Sequence, residues 1–499
     1  MKKMILAAMA ALALVSTSCN KDDNKDDNGG EPTSGNLTDI LFGEDGKQLG
    51  NGNQEFTIPV GTYKLPKGTY TLHSWVYVPA GAELYIEPGT IIKGVYDTDA
   101  SLIVMPGGKL YARGTKNAPI VFTSDRVKGQ RKPGDWGGLI LLGRARNNMG
   151  QMTIEGGPQV KHGGNDDQDS SGELSYVRVE FAGTPYATDQ EINGITFGSV
   201  GSGTVLHHVQ VSYSGDDSFE WFGGAVNAKY LVAYRGWDDD FDTDNGFSGK
   251  IQFCLGVRHP RIADQSVSNG FESDNNGEGS ATTPRTQCVF SNVTFVGPIG
   301  QDAAFINTTD YINGGGLNPN NGARLGQFQA AMQIRRNSNL SCFNSVAMGY
   351  PVGIIIENDK GSDTQGDATK ETFKLANNIF AGMTILGCDK NKAFVDGYTN
   401  NSSTPSTTQE SFSSAYFKQA SLNNRLLTDI SDLKLSQPIS TQLGADYRPT
   451  TGSPLLGTAS FSNPMVASGF DKVTYVGAFA QGDTWLEEWT EFDPQNANY

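Results

Sequence analysis

The stretch DDSFEWFGGAVNAKYLVAYRGWDDDFDTD, residues 216–244, decides the fold. It contains one repeat, because Phe219 and Phe241 are 22 residues apart and each is preceded by aspartates and followed by a carboxylate. Phe197 lies 22 residues before this pair and Phe271 lies 30 residues after it, in similar settings. A period near 22 with several short strands is typical of a right-handed parallel β-helix, a solenoid whose coils stack about 4.8 Å apart. We expect the four phenylalanines to form one inward column.

The remaining sequence from about residue 56 has the same character. Short apolar runs alternate with polar residues and are broken by Gly, Pro and Asn, which is the pattern of strands and turns. Glycine accounts for 61 of 499 residues, and only 18% of residues are charged. The net charge of −16 argues against binding to nucleic acid, which needs a basic face. These features predict an all-β protein.

The N-terminus predicts where the protein resides. Residues 1–18 have a basic start and an apolar run too short to span a membrane, so they indicate a signal peptide. Cys19 follows, and this order resembles a bacterial lipoprotein signal in which the cysteine is lipidated; an ordinary signal with an incidental cysteine is the alternative. Residues 19–36 are too polar to fold and are predicted to be a disordered tether. Lys21-Asp22-Asp23 resembles the surface-export signal of Bacteroidota lipoproteins, which implies a surface-exposed, lipid-anchored outer-membrane protein.

The rest of the chain is predicted to form a single β-helix. We assign residues 37–460 to the coils and expect a small helical insertion at about 409–435. The apolar and aromatic residues 461–499 are predicted to cap the open end of the solenoid, which otherwise exposes strand edges. Four cysteines remain, and they form two disulfides or are small buried residues: Cys254, Cys288, Cys342 and Cys388.

Several motifs of the sequence are also distinctive. They are VYVPAGAELYIEPGTIIKG at 76–94, LIVMPGGKLYARGTKNAPIVFTS at 102–124, GDWGG at 134–138, EWFGG at 220–224 and the segment 447–454. With these motifs the chain resembles the outer-membrane β-helix lipoproteins common in Bacteroidota, which are related to a leptospiral surface lipoprotein. This resemblance implies the fold and the location over roughly residues 56–499, and it implies no activity. More distantly, the fold resembles that of pectate lyases and polygalacturonases.

Carboxylates accompany the phenylalanine column. Alternation turns the residue after each inward Phe outward, so Glu220, Asp242 and Glu272 are expected to be neighbours on successive coils. At about 5 Å and an effective dielectric constant near 20, each such pair repels by roughly 3 kcal/mol. This repulsion between carboxylates can be relieved in four alternative ways: by bound Ca²⁺, by raised pKa values, by pairing with Arg335 or by simple hydration. The predicted metal ligands are Asp242, Asp244, Glu272 and Asp274.

This outward face suggests capture of an extracellular ligand, most plausibly a glycan. Carboxylates accept hydrogen bonds from sugar hydroxyls and aromatic rings stack on sugar rings. The family resemblance adds a TonB-dependent uptake receptor as a possible partner, with membrane contact only through the lipid anchor. The predicted ligand-binding residues are Glu220, Phe222, Tyr234, Trp237, Asp216 and Asp238.

Two other functions use the same residues. A Ca²⁺-dependent polysaccharide lyase would use Arg335 as its base, and a glycoside hydrolase would use two neighbouring carboxylates such as Glu220 and Asp242. The catalytic motifs expected of a polygalacturonase are missing from the sequence. An adhesive or structural surface protein needs no ligand at all. We favour capture over these alternatives.

Overall fold

A computed structural model describes residues 35–499 except 188–189, 319–324, 362, 400–403, 407, 438 and 440–445. The predicted signal peptide, Cys19 and the tether up to residue 34 lie outside the described residues. Within the described part of the chain, no helix is long and apolar enough to cross a membrane.

The described strands form two large sheets and a small hairpin. The larger sheet has eighteen strands: Leu41–Phe42, Gln48–Leu49, Gly61–Leu65, Thr69–Leu72, Ala82–Ile86, Ile91–Gly94, Lys109–Arg113, Ile120–Ser124, Gly172–Glu180, Val205–Ser212, Ala228–Tyr234, Lys250–Val257, Val289–Val296, Ser341–Phe343, Val346–Met348, Leu375–Ala376, Ile379–Ala381 and Arg425–Leu427. The smaller sheet has eleven: Phe56–Thr57, Trp75–Val78, Ser101–Val104, Gly138–Leu142, Ile195–Val200, Phe219–Gly224, Phe241–Asp244, Phe271–Ser273, Ala330–Ile334, Val352–Ile356 and Ile385–Cys388. The antiparallel hairpin pairs Pro185–Ala187 with Gln190–Glu191.

Successive coils pair in parallel, which confirms the parallel β-helix. Phe219 pairs with Phe241 and Phe241 with Phe271, so the 22- and 30-residue spacings give the true register. All three rings are buried, and those of Phe219 and Phe241 stack with centroids 5.4 Å apart. The alignment of Phe197 is wrong by two residues, because Ile195 pairs with Phe219 and Phe197 pairs with Trp221. The connection after the Ile195–Val200 strand is therefore two residues longer than the repeat predicts.

The larger sheet bends at the same point in successive coils, and a residue with positive φ makes each bend. Their φ values lie between 51° and 60°, the left-handed region that L-residues rarely adopt. Aromatic rings occupy this column in the earlier coils, and asparagines, which tolerate the conformation best, occupy the later ones. We call this set the bend column: Tyr176, His208, Tyr230, Phe253, Asn292, Asn344, Asn377 and Asn423.

The C-terminal segment, residues 446–499, runs along the outside of the larger sheet. Gly477 donates its N–H to Asn344, Glu491 to Gln210, and Lys93 donates to the carbonyl oxygen of Tyr499. The segment thus returns along the side of the coils. This differs from the end cap predicted for 461–499, because the outward-facing rings that Trp485 and Trp489 contact, those of Tyr176, His208 and Tyr230, lie on the side of the solenoid.

The helices are short. They are the α-helices Pro298–Gln301, Thr364–Thr369 and Phe412–Phe417 and the 3₁₀ helices Leu37–Asp39, Gly314–Gly316, Ala420–Leu422 and Ile430–Leu433. The predicted insertion at 409–435 holds three of these helices together with the strand Arg425–Leu427. The four cysteines after Cys19 are free and buried, so the disulfide alternative is not realised.

Candidate functional site

The carboxylates predicted to be neighbours stand in one column on the outer face of the smaller sheet. Glu220 pairs with Asp242 and Asp242 with Glu272, and Gln333 follows in the next coil. We call Glu220, Asp242 and Glu272 the carboxylate column. The inward phenylalanines fix this arrangement, since burial of one face of each strand turns the other face outward.

A second group of aspartates lies at the corner before these strands. The N–H of Asp239 donates to Asp217 Oδ1 at 2.8 Å, and the N–H of Asn269 donates to Asp239 Oδ1. The hydroxyl of Ser266 donates to Asp238 Oδ2 at 2.6 Å. Backbone and hydroxyl donors thus hold the corner carboxylates in place, coil above coil.

The corner aspartates and the carboxylate column surround a cavity of about 330 Å³, which we call the acidic cavity. Eight carboxylates and three basic side chains line it, so the charge is strongly unbalanced. The lining residues are Glu155, Asp216, Asp217, Glu220, Asp238, Asp239, Asp242, Ser266, Glu272, Arg335, Arg336, Asn391 and Lys392.

A second cavity of about 720 Å³ shares Glu155 with the acidic cavity. Asp244 also lines it, two residues along the strand from Asp242. Its other walls are mixed, with apolar groups from Met149, Met152, Ile154 and Phe222 and amides or hydroxyls from Gln159, Asn245, Asn276, Ser280 and Thr282. We call the two cavities together the groove. Apolar walls with a few oriented polar groups are typical of small-molecule sites.

Arg335 is held by carboxylates. Its Nε lies 2.8 Å from Asp274 Oδ1, its Nη2 donates to Glu272, and Arg336 Nη1 lies 2.7 Å from Asp274 Oδ2. Asp274 is therefore occupied by two arginines, and Asp244 faces the larger cavity. The structure does not bring the predicted metal ligands Asp242, Asp244, Glu272 and Asp274 together as one group, because these guanidinium groups take the oxygens of Asp274.

The pKa values of the carboxylates reflect burial and mutual repulsion. Burial raises the pKa of Asp242 well above its usual value, and the charges of Glu220 and Glu272 add to this effect. The pKa of Glu220 is raised for the same reasons, while that of Asp244 rises to about 7. Arg335 opposes the effect of burial at Glu272, whose pKa is still raised. Burial and mutual repulsion thus favour the protonated forms of these carboxylates, and a bound cation would oppose that effect.

Three sets of side chains have the spacing that a metal ion needs. In each set of described residues, one oxygen per residue lies within 4.8 Å of the others: Asp216, Asp217 and Asp238; Asp217, Glu220 and Asp242; Asp239, Asp242 and Glu272. Two ligands on opposite sides of Ca²⁺, each at about 2.4 Å, are separated by a similar distance. Asp242 Oδ1 and Asp238 Oδ1 are buried and accept no hydrogen bond within the described structure. The residues present therefore fit a divalent cation.

The predicted aromatic ligand residues are buried. Phe222 points outward as expected, but it is only 6% exposed; it belongs to an apolar cluster with Met152, Ile154 and Val160 and lines the larger cavity. Tyr234 is 2% exposed and lies on the larger sheet under Phe492. Trp237 is 1% exposed. The prediction that Tyr234 and Trp237 stack on a ligand is wrong, because other parts of the chain cover both rings.

Several residues of the groove lie outside the 22-residue repeat, so the repeat does not predict them. Glu155 comes from the long connection between the strands Gly138–Leu142 and Gly172–Glu180, and Asn391 and Lys392 follow the last strand of the smaller sheet. Asn193 donates its amide to Glu220 from just before the preceding strand. Loop residues have no fixed place in a period-22 alignment, so the sequence could show only the acidic corner and column.

The fold has a counterpart among protein families. A family described as the pectate-lyase-like β-helix domain matches residues 60–419. The chain belongs to this family. Every residue of the groove lies inside the matched range of the pectate-lyase-like domain. The groove is thus part of the domain itself and not of the C-terminal segment.

Comparisons with solved structures and with curated sequences add less information about the chain. The Dettilon tailspike protein, gp208, is a structural neighbour of the pectate-lyase-like domain with a TM-score of 0.27 and 11% sequence identity, over 75% of this chain. This chain spans 63% of the length of that tailspike. Comparison with curated protein sequences finds no significant match.

Proposed function

We propose that this pectate-lyase-like β-helix is a surface protein, lipid-anchored in the outer membrane through Cys19, that captures an extracellular glycan in its groove. It is one of the Bacteroidota outer-membrane β-helix lipoproteins that its sequence resembles, related to a leptospiral surface lipoprotein. It presents the glycan to a TonB-dependent uptake receptor. Membership in a pectate-lyase-like family associates the chain with glycan binding or cleavage.

One observation carries the proposal: two cavities that share Glu155 lie side by side along the coils. A chain of sugars is long and hydroxyl-rich, so it needs an extended site with many acceptors. Carboxylates supply these acceptors in the acidic cavity, and amides and hydroxyls supply acceptors and donors in the larger one. The apolar side chains of Met149, Met152 and Ile154 offer contacts for the faces of sugar rings.

A divalent cation is proposed as the cofactor, held by Asp239, Asp242 and Glu272. Ca²⁺ prefers carboxylate and carbonyl oxygens, and it neutralises charge between neighbouring carboxylates when bound. Asp239 and Glu272 each already share one oxygen with a protein donor, and Asp242 Oδ1 has no donor within the described structure. Asp242 is accordingly the residue that gains most from the ion.

Cleavage is the second candidate function, because carboxylates with raised pKa values stand side by side. A retaining glycosidase needs two carboxyl groups about 5–5.5 Å apart, one protonated and one charged. The oxygens of Asp217, Glu220 and Asp242 lie within 4.8 Å of one another. The lyase alternative is weaker, since the carboxylates of Asp274 and Glu272 raise the pKa of Arg335 further and leave it a poor base.

A glycan panel tests these functions together. The purified protein is incubated with the panel, with and without Ca²⁺, and retained and released sugars are identified by mass spectrometry. Retention of intact glycan that is lost in Asp242→Ala supports capture. New shortened or unsaturated products that require Glu220 or Asp242 replace capture by cleavage. A panel left neither retained nor cut contradicts both, and an adhesive or structural role then leads.

The proposed location has its own test. Cys19→Ala is expected to prevent labelling of the protein by radioactive palmitate and to move it out of the membrane fraction. Protease added to intact cells is expected to cut the wild-type protein. Retention of the variant in the membrane fraction, or resistance of the wild type in intact cells, contradicts the anchor or the surface location respectively.

A further inference from the structure

A basic loop, residues 126–132, leaves the larger sheet on the side that the C-terminal segment covers. Four of its seven residues are arginine or lysine, in a chain whose net charge is −16. Val127 is 63% exposed, and Lys128 is exposed beside it. The guanidinium carbon of Arg126 lies 4.5 Å from the ring centre of Tyr96, which is itself 38% exposed. We call Tyr96, Arg126, Val127 and Lys128 the basic ridge.

A pocket of about 260 Å³ lies in the C-terminal segment, apart from the two cavities of the groove. Its apolar wall consists of Phe479, Trp485, Leu486 and Phe492. The last three of these side chains are partly exposed. We call this cavity the flank pocket. An apolar side chain from another molecule would gain free energy by leaving water here.

The rim of the flank pocket is acidic. Arg448 Nη2 lies 2.7 Å from Asp446 Oδ2, so this arginine is held mainly by one carboxylate. Glu487 and Glu488 are 52% and 53% exposed, and their ion pairs with Arg448 and Lys116 are longer, at 3.6 and 3.9 Å. The pocket therefore fits an apolar side chain that is accompanied by lysine or arginine. The charged residues that line it are Asp446, Arg448, Asp483, Glu487 and Glu488.

The basic ridge has this chemistry. Val127 is a branched apolar side chain, and the basic residues Arg126 and Lys128 stand on either side of it in the sequence. The flank pocket offers an apolar wall and an acidic rim. Apolar contact at the centre with opposite charges around it is the arrangement of a specific protein interface. One chain thus carries both halves of a complementary pair.

Both surfaces lie on the same side of the solenoid. Arg131 of the basic loop donates to the carbonyl oxygen of Pro494, and Trp485 of the pocket contacts Tyr230. The coil of Tyr230 is three coils after the strand Ile120–Ser124, which is about 14 Å along the axis at about 4.8 Å per coil. A two-fold axis that lies in the plane of contact, midway between the two surfaces and at right angles to the solenoid, brings each ridge opposite the pocket of the other molecule.

We propose that two copies of this chain form a symmetric dimer with antiparallel solenoids, in which the basic ridge of each copy docks into the flank pocket of the other. Val127 contacts the apolar wall, and Lys128 pairs with Glu487. The carboxylate column of the groove lies on the smaller sheet, away from this contact, so the inference does not depend on the proposed function.

Sedimentation equilibrium of the full-length protein in a density-matched detergent measures the dimer. We expect Lys128→Glu and Glu487→Lys each to weaken it at least tenfold, because each change places like charges together at both contacts. An equimolar mixture of the two variants should regain the wild-type affinity, since the two reversed charges then face each other at one contact and two native charges at the second. Lys47→Glu and Glu44→Lys, which reverse exposed charges outside both surfaces, should leave the dimer unchanged.

A wild-type protein that stays monomeric overturns the inference, as does a dimer that keeps its full affinity in both charge variants. Failure of the mixture to regain the dimer also overturns it, provided that circular dichroism shows both variants folded, because reciprocal contacts require the rescue. Val127→Ser tests the apolar contact separately and should weaken the dimer at least tenfold. Full affinity in this variant contradicts the docking of Val127. Glycan retention by a monomeric variant would leave the proposed function standing.

Discussion

The bend column on the larger sheet and the carboxylate column on the smaller sheet differ in how their polar groups are satisfied. On the larger sheet, the C-terminal segment satisfies the asparagines of the bend column: Asn292 donates to the carbonyl of Tyr475, Asn344 to that of Ser460 and Asn377 to that of Thr458. On the smaller sheet, Asn193, Asp242 and Gln333 keep atoms without partners among the described residues.

This difference teaches where to look for function in a solenoid. Both faces derive from the same parallel stacking, which places identical positions of successive coils side by side. A column satisfied by the protein's own chain serves stability. A column of like charges with unmet acceptors reduces stability, and the proposed ligand would offset that cost.

The largest effect is expected from a substitution in the contact between the C-terminal segment and the larger sheet. Trp489 is fully buried against Tyr176 and His208, so Trp489→Ala should lower the free energy of unfolding by about 3–5 kcal/mol. Denaturation by urea measures this loss. Glu488→Ala changes the neighbouring, half-exposed side chain and should stay within about 0.5 kcal/mol of wild type. A similar stability for both variants would show that the segment does not clamp the sheet.

The next largest effect is expected from the binding of Ca²⁺ to the carboxylate column on the smaller sheet. Saturation with Ca²⁺ at a hundred times its Kd should raise the free energy of unfolding by about 2.7 kcal/mol, because the ion binds only the folded column. Thermal denaturation with Ca²⁺ and with a chelator measures the difference. Asp242→Asn should remove the gain and Glu44→Gln should keep it. An equal response of wild type and Asp242→Asn places the ion elsewhere.

A single asparagine of the bend column gives a smaller loss. Asn344 accepts from the N–H of Ser460 and donates to its carbonyl oxygen, so Asn344→Ala should cost about 2 kcal/mol. Asn344→Gly separates the causes, since glycine adopts positive φ freely but makes no side-chain bond. Equal losses in the two variants assign the effect to the hydrogen bonds. No loss in either would contradict the role given to Asn344.

The smallest effect is electrostatic. Burial and the neighbouring carboxylates raise the pKa of Asp242. The stability that its protonated form contributes is therefore complete below pH 4 and is lost as the pH rises. The stability contributed by protonated Asp244 is likewise lost as the pH rises, between about pH 4 and 7. Asp242→Asn should therefore gain about 1 kcal/mol over wild type by pH 8 without divalent cations. A stability difference that does not grow from pH 4 to pH 8 argues against repulsion in the column.

Local alternation and one repeat were enough to predict the fold and the alignment of the carboxylate column. The spacings to Phe241 and Phe271 gave the register of Glu220, Asp242 and Glu272 correctly, because both phenylalanines fill the same core position. The same reasoning failed at Phe197, since loops between coils vary in length and a spacing of 22 arises there without equivalent positions.

The rest of the site depends on contacts that no local pattern contains. Tyr234 is covered by Phe492, more than 250 residues away in the chain, and Glu155 reaches the cavity from a long loop. Nor does the sequence predict positive φ at Tyr230 or Phe253, because aromatic residues rarely adopt it. The course of the C-terminal segment over the bend column could therefore be seen only in three dimensions.

The C-terminal segment also restricts how many coils the solenoid can have between the points where the segment is anchored. Solenoids commonly gain or lose repeats, since each coil contacts only its neighbours. Here one segment is fixed beside Asn344 at Gly477 and beside Lys93 at Tyr499, and it bridges all the coils between them. An added coil would pull these anchors out of register with their partners. The number of coils between these two anchors is therefore restricted by the C-terminal segment, and those coils include most of the ones that form the groove.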